Sequence, residues 1–599
     1  MRRTGWAIVA SLAALLGASA AAAPAFAADD KAALQGDLDG TLRAELRAAI
    51  GDAKTRPASP FEARRRAREA AADAIALLRS EGYYEAEVLP DISQSQPPAP
   101  IVRVTPGVRF HFLAASLEWV GPPPDGAAAG AAARAVGLAN GEPGRAADVL
   151  AAEGRLVALL QKRGYADAQA TPRAVVVDHQ THSVQPTLKL AAGDRVHLGG
   201  VKLVTTGKIK PAWVRGLATW RPGAVYDPKY LAELERRLSG AGVFDSVTVA
   251  LAPAEDAVDG RRPVLVSIAD RPRRTVELGA GYSTSEGSGI DGKFLLYNRL
   301  RRADTLTLSA RLYDIQQKLD LELDLPGWRR PDQTLIIGGG PVRDRTAAYD
   351  DVGGGVRLDV ERRFSRTSYI TVGGALDYAS TTEKSAVNLL ATPVGEKLNL
   401  IVATTLGAFA VDRSNDPLDP TRGWRFEAQA EPTLIGGDRN LVYLKTQVQA
   451  SGYLPLNESD ATVIAARVKV GAILGGDIPT VPADRRFFAG GGGSVRGYGY
   501  QEVGPRLSDN TPEGGLSLFE GSLEARQRLS ARWGVVAFAD VGAVGEGPTP
   551  SFASVSAGAG VGVRYDLGFG PLRLDIATPL NPRKGDSPIQ LYISIGQSF

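Results

Sequence analysis

Three groups of residues have side chains whose types and spacing can do chemistry. His179 and His182 stand in His179-Gln180-Thr181-His182, where two imidazoles would serve as metal ligands. Two ligands do not close a zinc site, and the pair falls between two strand-like runs, so a polar hairpin tip is expected. Asp320, Glu322 and Asp324 alternate along one extended run and would suit acid–base work. They share their face with Lys318 and have no nucleophile near them in sequence, which favours a solvated wall of charges. The third group is Ala489-Gly490-Gly491-Gly492-Gly493-Ser494-Val495-Arg496-Gly497-Tyr498. Glycine-rich runs can cradle phosphate, yet no Gly-Lys-Ser/Thr follows and no strand–helix context surrounds this one. None of the three supports an enzyme, and no cofactor or metal is implied.

Arg496 lies in a stretch without alternation, from Ala472 to Leu516. Loops beyond about 15 residues are usually functional or disordered. From Arg273 onward the surrounding sequence has a period of two. Leu319, Leu321, Leu323 and Leu325 alternate with Lys318, Asp320, Glu322 and Asp324, and Ile589, Leu591, Ile593, Ile595 and Phe599 are expected to share the apolar face of a last strand. A soluble sandwich alternates too, whereas a membrane barrel turns the apolar face to lipid and the charged face to a wet lumen. The extent of the pattern, the secretion signal and the terminal aromatic strand favour the barrel, which must close because open edges in hydrocarbon leave backbone groups unpaired. At roughly 20 residues per strand and connection, residues 272–599 give about sixteen strands.

The first half is built differently. Gly82-Tyr83-Tyr84-Glu85-Ala86, Gly164-Tyr165-Ala166-Asp167-Ala168 and Gly242-Val243-Phe244-Asp245-Ser246 superpose, each after an amphipathic helical pattern and before strand-like runs such as 174–178 and 183–190. The glycine suits a left-handed helix terminus. Three α+β units of roughly 80 residues result, a plausible minimum for one core. Ahead of them, Arg2 and Arg3, an apolar run and Ala25-Phe26-Ala27 read as a signal peptide cleaved after Ala27, in preference to a retained anchor. The chain of 599 residues has no cysteine, 23% charged residues and a formal net charge of +3, which excludes disulfides, thiolate chemistry and a nucleic-acid-binding field.

The motif Val495-Arg496-Gly497-Tyr498 resembles the Val-Arg-Gly-Tyr/Phe signature of the BamA/TamA family, outer-membrane assembly and secretion proteins with POTRA domains ahead of a sixteen-stranded barrel. Gly514-Gly515 with Leu516 to Glu524 looks like that family's twelfth strand, Phe538-Ala539-Asp540 like its Phe-x-Asp thirteenth strand, and Gly570 to Asp575 with Phe599 like its last two. The resemblance implies that the sixth extracellular loop folds into the barrel and that Arg496 pairs with Asp540 and Glu524 beside Phe538. It also implies a signal peptide (1–27), POTRA domains (28–106, 107–193, 194–271) and an outer-membrane barrel (272–599), with the POTRA domains in the periplasm of a Gram-negative bacterium. Three repeats match the TamA branch, which implies a TamB-like inner-membrane partner on the first repeat, unfolded outer-membrane proteins as substrates, and lipid but no nucleic acid as surroundings. A two-partner-secretion-type transporter is the alternative. Glycine in a strand supplies no packing, so Gly279 and Gly281 in a first strand from Thr275 to Ser283, and Gly596 in the last, mark a weak closing seam. Leu278 and Ile593, or neighbours in register with them, are expected to face each other across it, with Phe599 closing the last strand.

Overall fold

A computed structural model describes residues 29–599 apart from 54, 97, 206, 285–286, 366, 385–396, 508–509, 553, 569, 596 and 598. The cleavage residues Ala25 and Ala27, and Gly596 of the expected seam, lie outside the described residues. The chain divides into two compact units, 1–198 with 222–228, and 199–221 with 229–599.

The first unit contains two α/β modules. In the first, helix Pro60–Ser80 buries Ala63, Ala67, Ala70, Ala74 and Leu78, a stripe narrow enough to lie close on the sheet. Ser59 caps it by accepting from the Glu62 N–H at 3.2 Å. Gly82 ends it at φ +94°, and the Tyr83 N–H returns to the Leu78 carbonyl at 2.8 Å, the left-handed termination that the glycine predicts. A three-stranded sheet, ordered Ala33–Gln35, Pro100–Thr105, Glu87–Ile92, packs against this helix and the helix Gly40–Ile50. The second module centres on strand Ser183–Ala191, antiparallel to Gln169–Asp178 and parallel to His111–Phe112 and Ser116–Trp119, and its core includes Phe110, Leu156 and Leu188. His179 and His182 stand in and beside its hairpin turn, 3.1 and 3.5 Å from the Glu85 carboxylate, with their edges against Phe110.

The second unit holds a sheet ordered His197–Val204, Arg261–Asp270, Phe244–Leu251, and then the barrel. Its sixteen antiparallel strands close in sequence order: 1, Arg274–Ser283; 2, Gly287–Tyr297; 3, Thr305–Tyr313; 4, Gln316–Pro326; 5, Gln333–Arg345; 6, Tyr349–Arg363; 7, Ser368–Glu383; 8, Lys397–Asp412; 9, Gly423–Gly437; 10, Leu441–Pro455; 11, Thr462–Leu474; 12, Ser517–Arg528; 13, Trp533–Gly545; 14, Ser556–Asp566; 15, Pro571–Pro579; 16, Gln590–Ile595. Odd-numbered strands run to the rim that carries 475–516, the longest connection, while even-numbered strands are joined to the next by connections of four to ten residues at the other rim. Alternation sorts the side chains as a lipid-embedded barrel requires. Leu308, Leu319 and Leu321 are exposed on the outside, while inside, Arg357 bridges Asp320, at 2.8 Å, and Glu322. Arg357 of strand 6 thus pairs with two of the three carboxylates on the wall of strand 4.

Two expectations about the closing strand are corrected. Strand 16 ends at Ile595, and Phe599 leaves the wall to stack on Tyr453 of strand 10, ring centroids 6.5 Å apart, in a cluster with Val463 and Ala465. A terminal aromatic gains more from this enclosed pocket than from a sheet edge. The register across the seam sets Tyr282 against Ile593 and Ser283 against Tyr592. Leu278 thus lies four residues from the level of Ile593, about 13 Å along an extended strand, and the two do not face each other.

Candidate functional site

The loop 475–516 turns back into the barrel, and Val495, Arg496 and Tyr498 are buried there. Arg496 keeps 2% of its surface, so its fixed positive charge must be matched inside the protein. Its Nε and Nη2 donate to the two oxygens of Asp540 at 2.7 and 2.9 Å, and its backbone N–H adds a third bond to the same carboxylate at 3.1 Å. Its Nη1 reaches Glu524 at 2.7 Å and Asp575 at 3.3 Å. The guanidinium plane sits 3.5 Å above the ring of Phe538, which adds a cation–π contact in a place without water screening.

Strand periodicity places these groups. Phe538 and Asp540 are two apart on strand 13 and face inward together, opposite Glu524 and Ser522 of strand 12. Asp575 faces inward from strand 15. Arg526 secures the second oxygen of Glu524 at 2.9 Å, and Arg564 and Arg573 approach Asp575. Four guanidiniums thus face three carboxylates, a network in which each buried acid has more than one donor.

The residues around Arg496 hold the loop in register. Gly497 has φ +103°, and a Cβ there would meet the Thr578 carbonyl oxygen at 2.7 Å, so both conformation and space demand glycine. Its N–H donates to the Tyr592 hydroxyl at 3.2 Å, and that hydroxyl donates to the Tyr498 carbonyl at 3.2 Å. The Tyr498 hydroxyl donates to Asn581 Oδ1 at 2.7 Å. Val495 belongs to an apolar cluster with Val503, Leu516 and Val544. Farther along, Arg486 donates to the carbonyls of Val481, Ile478 and Glu513 at 2.8–2.9 Å and to Glu383 of strand 7 at 3.3 Å. Lys445 of strand 10 donates to the Arg485 carbonyl at 2.9 Å and stands 4.6 Å from the centre of the Phe487 ring.

The structure thus brings Val495, Arg496, Gly497, Tyr498, Glu524, Phe538 and Asp540 into one cluster, to which the sequence reading had not assigned Asp575 or Tyr592. It also passed over a signal in strand 14. Gly558, Gly560 and Gly562 recur at a period of two. A Cβ on them would strike the Arg496 carbonyl oxygen, the Phe538 ring and the Asp575 carboxylate, respectively. An inward row without side chains marks where the loop and its partners must fit. Of the expected seam residues, Thr275, Leu278, Gly279 and Gly281 lie on strand 1 and Ile593 on strand 16, while Phe599 belongs to the lumen.

A sixteen-stranded barrel with α/β modules before it and a loop pinned within it by a buried arginine defines a membrane β-barrel whose lumen holds one of its own loops. The Omp85 superfamily domain matches residues 298–599, and the chain belongs to that superfamily of outer-membrane β-barrels. It is 22% identical over 463 residues to the outer membrane protein assembly factor BamA of Neorickettsia risticii, covering 74% of this chain and 60% of that protein. It is 24% identical over 488 residues to BamA of Neisseria meningitidis, covering 70% and 59%. The chain therefore spans about three-fifths of the length of these relatives. The crystal structure of Haemophilus ducreyi BamA lacking POTRA domains 1–3 shares its fold, with a TM-score of 0.66 at 18% identity, covering 81% of this chain and all of that one.

Proposed function

We propose that this chain is a translocation and assembly factor of the TamA type that promotes insertion or secretion of β-rich outer-membrane proteins such as autotransporters, with its three α/β modules in the periplasm. The observation that carries this reading is the seam. On one side strand 1 pairs along its whole length, from Arg274–Leu296 to Ser283–Gly287. On the other, among the described residues, it pairs with strand 16 only at Tyr282–Ile593 and Ser283–Tyr592. Among the described residues, the outer backbone edge of strand 1 from Arg274 to Gly281 pairs with no strand, in a region where Val276 and Leu278 are 64% and 83% exposed. An unpaired edge is a template for another strand. Substrate pairing exchanges backbone hydrogen bonds for equivalent ones, so the step is nearly balanced and needs neither nucleotide nor catalytic residue.

The number of modules supports the TamA branch, and with it a TamB-like inner-membrane partner on module 28–106. There, strand Glu87–Ile92 is the sheet edge open to strand addition, although Pro90 offers no N–H and confines full pairing to part of it. Depletion followed by proteomics of the outer membrane and the medium tests the function. Loss of inserted barrels or autotransporters is expected. Loss of one soluble exported protein with barrels unaffected would make the chain a two-partner-secretion-type transporter and overturn the reading.

A further inference from the structure

A cluster of cations stands at the rim where strand 1 begins and strand 2 ends. Lys208, Arg273, Arg274, Arg299 and Arg301 line a cleft of about 440 Å³ together with Leu296, and no carboxylate lines it. Among the described residues, none of the five is within ion-pair distance of an acid, in contrast to the arginines of the lumen. The acids nearest in sequence are occupied by backbone: Asp304 accepts the N–H groups of Leu300 and Arg302 at 2.9 and 3.4 Å, and Asp270 accepts that of Lys208 at 3.2 Å. Arg301 sits at φ +64°, and its carbonyl accepts the Lys210 N–H at 2.9 Å. The turn is thus held in a fixed shape while the side chains of Arg299, Leu300, Arg301 and Arg302 remain exposed.

The depth of the cleft matters as much as its charge. Arg274 is the first residue of strand 1 and pairs with Leu296. Trp424 and Trp533 stand at the equivalent ends of strands 9 and 13 and are about half exposed, as aromatic residues are at a headgroup level. Along strand 1, in alternate positions from Arg274, the exposed Val276 and Leu278 continue toward the bilayer centre. Cations at the headgroup level above an apolar strip match an amphipathic anion.

We propose that this cleft binds the phosphate headgroup of an anionic phospholipid from the periplasmic leaflet, its acyl chains lying along Val276 and Leu278. Such a lipid covers the exposed face beside the unpaired edge of strand 1.

The test is lipid retention by the full chain in nanodiscs of equal parts phosphatidylcholine and phosphatidylglycerol, read by native mass spectrometry on ejection. Wild type is expected to retain phosphatidylglycerol preferentially. The variant Arg274→Gln/Arg299→Gln/Arg301→Gln is expected to lose that preference by about tenfold or more, since each interfacial cation contributes comparably. Neutralising three arginines elsewhere on the same rim, Arg329→Gln/Arg330→Gln/Arg532→Gln, is expected to leave it intact. Equal retention by the first variant, its barrel shown folded by heat-modifiable migration, would overturn the proposal. So would an equal loss in the second variant, or displacement of the lipid by oligo-glutamate, which would assign the cleft to an acidic protein segment. Should the first variant not fold, the wild type decides alone: its preference must weaken as salt is raised, and a salt-independent preference overturns the site.

Discussion

Replacing Arg496 with alanine removes the only guanidinium that pairs with Asp540 among the described residues. Asp540 would keep the backbone N–H of residue 496 and lose the donors now at 2.7 and 2.9 Å. Glu524 and Asp575 fare better, because Arg526, Arg564 and Arg573 remain beside them. Stranding one partner of a buried, hydrogen-bonded pair costs about 3–5 kcal/mol, and most of that cost should fall at Asp540. At about 1.4 kcal/mol per tenfold, opening of the loop should become favoured by about a hundredfold or more. The strands keep their ladders, so the barrel should still migrate as folded while loop 475–516 becomes open to protease and assembly activity falls. Arg496→Lys should be intermediate to severe, because an ammonium cannot engage Asp540 in a fork and Glu524 at once. The double variant Arg496→Ala/Asp540→Ala should be less damaging than the sum of its parts, since no charge is then left without its partner. Loop protection and function equal to wild type in Arg496→Ala, or strict additivity in the double variant, would refute this account of the loop.

Three further outcomes follow from the same geometry. Gly560→Val should disrupt loop docking more than Val561→Ala, because the added side chain meets the Ile576 carbonyl of strand 15 and the Phe538 ring while position 561 faces outward; the comparison is read by loop proteolysis in material whose barrel migrates as folded. Tyr592→Phe removes the hydroxyl between Gly497 and Tyr498 and should cost about 1–3 kcal/mol of loop docking by leaving buried backbone groups unpaired; unchanged loop hydrogen exchange would speak against it. With no native cysteine, Tyr282→Cys/Ile593→Cys should form a disulfide across the seam and reversibly stop substrate insertion, whereas Leu278→Cys/Ile593→Cys should not form one; full activity with a locked seam would eliminate the lateral opening.

Alternation alone leaves a soluble sandwich open, but its extent, read with the expected secretion signal and the terminal aromatic, made a barrel of about sixteen strands legible, because a strand with one face in lipid and one in a charged lumen must write a period of two into its residues. The helix-terminating glycines 82, 164 and 242 were equally legible, since their left-handed φ values of +94°, +105° and +72° are a local requirement that few other residues meet. Arg496, Asp540 and Glu524 could be named through a motif resemblance, yet no spacing in the chain says that residues 28 and 44 positions apart share one charge cluster. Asp575 and Tyr592, 79 and 95 positions from the groups they contact, entered the site only when the barrel curved strands 15 and 16 around to the loop. The seam register was also settled there. Closure fixes which residue of strand 1 meets which residue of strand 16, and that depends on the stagger accumulated over all sixteen strands, a global quantity that neither strand's own sequence contains.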